Sequence, residues 1–89
     1  MKKITVFGSK HWPGCQPVKE FLSKNNVEFV YLDITDSMLN LKKFLKFRDA
    51  RSEFEEIRKA NRVGLPCVMI NKGEEFLFEQ NEIEALINK

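Results

Sequence analysis

The stretch Ser9-Lys10-His11-Trp12-Pro13-Gly14-Cys15-Gln16-Pro17 constrains this chain more than any other, holding two of its three prolines and one of its two cysteines. It follows Ile4-Thr5-Val6-Phe7-Gly8, an apolar run that reads as a strand. It opens Val18-Lys19-Glu20-Phe21-Leu22, whose apolar residues recur at helical spacing. Between them a tight Pro/Gly turn delivers a cysteine to the first turn of a helix. Backbone N–H groups there have no intrahelical partner, and the helix dipole adds partial positive charge. A thiol so placed is biased toward thiolate, the form that attacks disulfides.

Taken in order, the rest of the chain alternates strand and helix. Lys2 to Phe7 is near-continuously apolar from Ile4 on, as suits a strand covered on both faces. A helix is expected from about Gly14 to Lys24, stopped by Asn25-Asn26, and a second strand from Glu28 to Ile34. That order predicts a right-handed crossover with parallel pairing. Thr35, Asp36 and Ser37 offer caps for a helix to about Arg48, with Met38, Leu41, Leu45 and Arg48 on one stripe widened by Leu39, Phe44 and Phe47. Ser52 with Glu55 forms a capping-box pattern for a short helix to Asn61, anchored by Phe54 and Ile57. After the breaker Arg62 to Pro66, Cys67-Val68-Met69-Ile70 and Glu75-Phe76-Leu77-Phe78 read as a hairpin about Asn71-Lys72-Gly73-Glu74. Asn81 with Glu84 marks a last helix, with Ile83, Leu86 and Ile87 as its buried stripe.

Strand, motif turn, helix, strand, later an X-Pro and a hairpin: the chain resembles the glutaredoxins over essentially its whole length. In ungapped register Phe7-Gly8-Ser9 precedes the family's C-P-x-C motif, and Lys19 falls where members often carry lysine. Cys15 then stands on the second cysteine of that motif and Trp12 on the first. The resemblance implies one domain over residues 1–89 with the thioredoxin fold, an α/β architecture of four mixed strands in spatial order 2-1-3-4 with helices on both faces. It also implies thiol–disulfide oxidoreductase activity, in which the first cysteine attacks and the second resolves the mixed disulfide. With Trp12 in the attacking place, that activity is expected to be impaired. A redox-inactive module that holds a peptide or thiol is the alternative from a different class. The segment around residues 49–61 is longer than in ordinary glutaredoxins.

Each candidate residue carries a plainer reading beside the chemical one. Cys15 is either a low-pKa thiol or a small buried hydrophobe at a helix start, since free cysteine is commonly buried. Trp12 is either an aromatic contact for a partner or the mark of a lost cysteine. Codons for cysteine, tryptophan and selenocysteine differ only in their third base, and some clostridial-type relatives carry cysteine or selenocysteine there. Natural loss, engineered replacement and recoding all fit. Pro13 and Gly14 complete the turn against which a substrate would lie. The resemblance implies a cis Leu65-Pro66 bond facing that turn, with the backbone before Pro66 pairing to a bound peptide. It is expected against a base rate of about 5–6% cis. Val63-Gly64-Leu65 departs from the commoner Thr-Val-Pro form. Cys67 would lie near Cys15 as a redox partner if their Cα atoms came within roughly 7 Å, but strand alternation is expected to turn it to the other face. Lys10 and Lys19 would draw an anionic thiol such as glutathione, or are simply solvated. His11, the one histidine, adjoins the turn, and a single histidine with two cysteines is too few ligands for a metal. Glu79-Gln80-Asn81-Glu82 replaces the Gly-Gly-x-Asp with which family members hold the γ-glutamyl group, leaving Asn81 to present a helix start to a carboxylate. Glutathione as co-substrate is therefore not inherited outright, and no resident cofactor or metal is expected.

Composition narrows the partners. Eighty-nine residues make one small domain, within the usual ~50–200, and 43% hydrophobic residues with eight phenylalanines supply one core. A net charge of +2 from fifteen basic and thirteen acidic residues, spread along the chain, is no footprint for nucleic acid. No run approaches the ~20 apolar residues of a membrane span, and the N-terminus has neither the h-region nor the cleavage site of a signal peptide. Two distant cysteines make no secreted disulfide framework. The expectation is a cytoplasmic monomer acting on protein or low-molecular-weight thiols and disulfides.

Overall fold

The structure is a computed structural model that describes residues 3–87, without the side chains of Gln80 and Ile87. The expected strand start at Lys2 and the stripe position Ile87 lie outside what is described. In chain order the elements are β1 (Ile4–Gly8), α1 (Cys15–Lys24), β2 (Val30–Asp33), α2 (Met38–Ala50), a 3-10 turn (Ser52–Phe54), α3 (Glu55–Lys59), β3 (Cys67–Ile70), β4 (Glu75–Leu77) and α4 (Gln80–Ile87).

The strands form one sheet in the order β2-β1-β3-β4. β1 pairs in parallel with β2, setting Phe7 opposite Leu32 and Gly8 opposite Asp33. It pairs antiparallel with β3, setting Phe7 opposite Cys67, and β3 pairs antiparallel with β4. β1 is buried along its whole length, as its apolar run requires. Side-chain alternation divides the core in two. Ile4, Val6, Val68 and Ile70 pack with Val18 and Leu22 of α1 and Ile83 of α4. Phe7, Cys67 and Met69 pack with Phe44 of α2, Phe54 and Ile57, and Cys15 joins this second cluster from the start of α1. The second cluster is aromatic: the Phe54 ring meets Phe44, Phe76 and Phe78 edge-on at centroid distances of 5.9, 5.2 and 4.9 Å.

Ser37 caps α2, its hydroxyl accepting from the Leu39 and Asn40 N–H groups at 3.2 and 3.4 Å. The expected α2 stripe needs correction, because Met38 and Leu39, in the first turn, stand 73% and 61% exposed. The apolar face is carried instead by Phe44, with Leu45 and Phe47 half-buried. Ser52 is no cap either, since it begins the 3-10 turn and Arg51 precedes it with no side-chain bond. The unpaired carbonyls at the end of α2 are met by arginine: Arg58 donates to the carbonyls of Arg48 and Arg51. Arg48 in turn donates to the Val63 and Arg62 carbonyls at 2.9 and 2.6 Å. These bonds fix the loop entering Leu65-Pro66. Gly64 in that loop has φ +97°, and a Cβ there would lie 3.3 Å from Ile57.

Candidate functional site

Gly8 ends β1, and its carbonyl accepts the Ile34 N–H at 2.9 Å. Two tight turns follow back to back, with Trp12 N–H donating to the Ser9 carbonyl at 3.0 Å and Cys15 N–H to the Trp12 carbonyl at 3.1 Å. They make Cys15 the first residue of α1 and return its sulfur against β1, where it accepts the Ser9 N–H at 3.4 Å. Pro17 falls in the first helical turn, where the missing N–H costs nothing.

A carboxylate that the sequence reading passed over holds this turn in shape. Asp33, buried at the end of β2, accepts the Lys10 N–H and the Thr35 N–H, each at 2.8 Å, and the Thr35 hydroxyl. The Thr35 hydroxyl lies 3.1 Å from that of Ser9, which accepts the His11 N–H at 3.1 Å. Burial alone would raise the Asp33 carboxyl, but the Thr35 and Lys10 hydrogen bonds and the Lys10 charge outweigh it and hold the group below the usual carboxylate range.

Cys15 is 1% exposed, and its thiol is raised rather than lowered. Burial is the largest cause; the Ser9 N–H pulls the other way, the Asp33 charge adds to the rise and Lys19 opposes it. The thiolate bias expected from the helix start is thus overturned by desolvation, which a dipole argument does not see. Gly8 explains how closely the site is packed. A Cβ on Gly8 would lie 2.7 Å from the Tyr31 hydroxyl and 3.0 Å from the Cys15 sulfur, so both atoms converge on the one bare spot of β1. Tyr31 is the second residue that sequence reasoning missed. Its phenol is pushed up to about 12, by burial first and then by Cys15, Asp33 and Asp36. The Lys19 ammonium lies 4.1 Å from its ring centroid. Tyr31, Lys19, Gln16 and Asn40, with Lys10, Asp33 and Asp36, line a polar pocket of about 380 Å³. Its one advance signal was that Tyr31 is the chain's only tyrosine, on a strand otherwise apolar until Asp33.

The remaining candidates divide. Trp12 is 43% exposed, with its indole beside Gly14, and a Cβ on Gly14 would lie 3.5 Å from Pro66 Cδ. The Trp12–Cys15 turn and Pro66 are therefore brought together, and the Leu65–Pro66 peptide bond is cis. Pro13 is exposed beside them, and Leu65 is buried. Lys10 is not a free cation, since its ammonium pairs with Asp36 at 2.8 Å and is held above its usual range by that bond. Cys67 is fully buried, and alternation places it in the same core cluster as Cys15 rather than on the other face. Both cysteines are free thiols, and burial alone pushes Cys67 far up. His11 is exposed. Asn81 sits inside the first turn of α4 rather than capping it with Glu84. The Glu82 carboxylate instead accepts the Phe78 and Glu79 N–H groups at 3.3 and 3.2 Å, filling the helix start with the protein's own anion. Among the described residues, no three His, Cys, Asp or Glu side chains cluster to hold a metal ion, and no helix is long and apolar enough to cross a membrane.

The family model for glutaredoxin matches residues 4–75. The chain belongs to the glutaredoxin family. It is 28% identical over 87 residues to an uncharacterized glutaredoxin-like 8.6 kDa protein in a rubredoxin operon of Clostridium pasteurianum, covering 97% of this chain and 99% of that one. An uncharacterized protein of Haemophilus influenzae is 27% identical over 74 residues, covering 83% and 86%. Among solved structures, a crystallised thioredoxin-like protein superposes with a TM-score of 0.66 at 27% identity, covering 93% of this chain and 97% of that one. A point mutant of it superposes at 0.68 and 25%, covering 96% and 99%. This glutaredoxin-family chain thus has the thioredoxin-type sheet order, with Cys15 at the start of α1.

Proposed function

We propose that this glutaredoxin-family chain is a thiol–disulfide oxidoreductase that retains the resolving thiol, Cys15, and lacks the attacking one, because Trp12 occupies its place. The observation that carries this reading is the Cys15 sulfur itself. It lies against the Ser9 N–H beneath a turn that packs on Pro66, and a residue three positions earlier stands exposed at the mouth. A buried, raised thiol is suited to give up its proton and attack a disulfide delivered to it, not to attack one in solution. Acting alone, Cys15 thiolate would attack one sulfur of a disulfide R–S–S–R′, bond to RS and release R′S⁻. An external thiol would then be needed to restore it. Low-molecular-weight thiols and protein disulfides are the partners this chemistry takes. Glutathione, as a co-substrate, would have to place its carboxylates away from the start of α4, where Glu82 already holds the N–H groups. Two free buried thiols suit a reducing compartment such as the cytoplasm.

The test is reduction of a small mixed disulfide by the native chain, Trp12→Cys and Trp12→Cys/Cys15→Ser under one reductant. Trp12→Cys restores C-P-G-C with the new sulfur exposed at the helix start, where its pKa is expected below the free value of ~8.5. It should outpace the native chain by on the order of a hundredfold, because release by Cys15 becomes intramolecular. No gain in Trp12→Cys would remove Trp12 from the attacking position, and a native chain already as fast would make Cys15 the attacker. The exposed indole beside Pro66 favours a second reading, a redox-inactive module that clamps a peptide between Trp12 and the Leu65-Pro66 edge. Peptide binding lost in Trp12→Ala, with no exchange activity in Trp12→Cys, would select it.

A further inference from the structure

On the face of the sheet that α2 covers, Thr5, Phe7 and Met69 are buried, while at the β2 edge Leu32 is half-buried and Val30 is exposed. Thr5, Phe7, Val30, Leu32 and Met69, from three adjacent strands, face α2 across a groove of about 520 Å³. At this level α2 presents Lys43, Lys46 and the half-buried Phe47, and Val30 is 46% exposed. The floor is apolar apart from the Thr5 hydroxyl. The rim consists of four lysines, with Lys3 and Lys72 at the strand ends joining the two from α2, and no carboxylate lines the groove. Among the described residues none of the four rim lysines forms an ion pair, which they share with Lys24, Lys42 and other surface cations and which leaves their ammonium groups available. Lysine stems can shield an apolar floor, yet here they leave a volume within the ~300–1,000 Å³ of small-molecule sites.

We propose that this groove binds a small amphipathic anion, a medium- or long-chain carboxylate. Its alkyl chain would lie over Val30, Leu32 and Phe47, and its head group among Lys3, Lys43, Lys46 and Lys72. Two features select that class. The apolar floor asks for a chain without hydrogen-bonding groups, and four unopposed ammonium groups at the edge ask for a single anionic head. The groove lies between a helix and a sheet and is finite in volume, which fits one chain better than a flat lipid surface.

The experiment titrates the full native chain with decanoate below its micelle concentration, by calorimetry and by amide chemical-shift perturbation, with decylammonium and decanol as matched probes. The expected result is saturable one-to-one binding of decanoate, with shifts confined to Val30, Leu32, Phe47 and their neighbours. Decylammonium should bind weaker by about tenfold or more, and rising salt should weaken decanoate binding. Lys43→Glu/Lys46→Glu, which changes only exposed side chains remote from the thiol turn, should reduce decanoate affinity by about tenfold or more. Absence of saturation, equal binding of decylammonium, or shifts centred on another surface would overturn the proposal. So would anionic vesicles binding where decanoate does not. Should the double variant fail to fold, the comparison of decanoate with decylammonium on the native chain decides alone.

Discussion

Cys15 and Cys67 are equally hidden, 1% and 0% exposed, and share one core cluster, yet their surroundings differ. Cys67 begins β3 opposite Phe7, and burial is what pushes its thiol up. Cys15 has the Ser9 N–H on its sulfur, the Tyr31 hydroxyl converging on the same spot, and the Lys19 charge working against burial. Solvent access therefore does not distinguish the two thiols of this protein. What separates them is whether a buried sulfur has polar groups ready for the charge it would acquire. Only Cys15 does.

The largest expected effect comes from opening the apolar surroundings that the two thiols share. Phe54 is fully buried and meets three phenylalanine rings edge-on, so Phe54→Ala should cost about 3–5 kcal/mol in denaturant unfolding. A loss below 1 kcal/mol would mean that the cluster collapses around the gap and is not the rigid wall supposed here. Next, Gly8→Ala strikes the Cys15 side alone. Its methyl would lie 2.7 Å from the Tyr31 hydroxyl and 3.0 Å from the Cys15 sulfur, an overpacking worth about 1–3 kcal/mol. It should speed alkylation of Cys15 and leave that of Cys67 nearly unchanged. Equal acceleration at both sites would merge the two regions that the comparison keeps apart.

A smaller effect is expected with pH. Cys15, Cys67 and Tyr31 all hold their protons more tightly folded than unfolded. Their contribution is complete below the unfolded values, about 8.5 for thiols and about 10 for tyrosine, and is lost progressively as pH rises from those values through the higher folded ones. The thermal midpoint should fall from pH 8 upward, and Cys67→Ala should flatten that fall more than Cys15→Ala, since Cys67 is pushed higher. A midpoint that rises or stays level between about pH 8 and 10 would contradict the buried, neutral state of both thiols.

Much of this was legible beforehand for local reasons. Continuous apolar runs at Ile4–Phe7 and Cys67–Ile70, a Pro/Gly turn between strand and helix, and Ser37 before a helical stretch each announce their own structure. The readings that shifted depend on distant partners. Met38 and Leu39 look like core by their spacing, and only the placement of α2 against the rest of the chain leaves them exposed. The Ser52/Glu55 pattern gave way to a 3-10 turn that has no side-chain cap, and the Asn81/Glu84 pattern lost to Glu82, which had the backbone within reach. The face on which Cys67 falls depends on the register of β3 against β1, and the direction of the Cys15 shift on how deeply Gly8 lets it sink. Asp33 and Tyr31 become site residues only when β2 lies beside β1.

The most direct test of the account is the alkylation rate of each cysteine in the native protein, followed by mass spectrometry from pH 7 to 10 and repeated in denaturant. Both thiols should react far more slowly than in the unfolded chain. Cys15 should react faster than Cys67 throughout, with an apparent midpoint above the free value of about 8.5. Cys67 reacting first, the two reacting alike, or Cys15 reacting at neutral pH as fast as in denaturant would contradict the claim that Cys15 is a shielded thiol poised for chemistry.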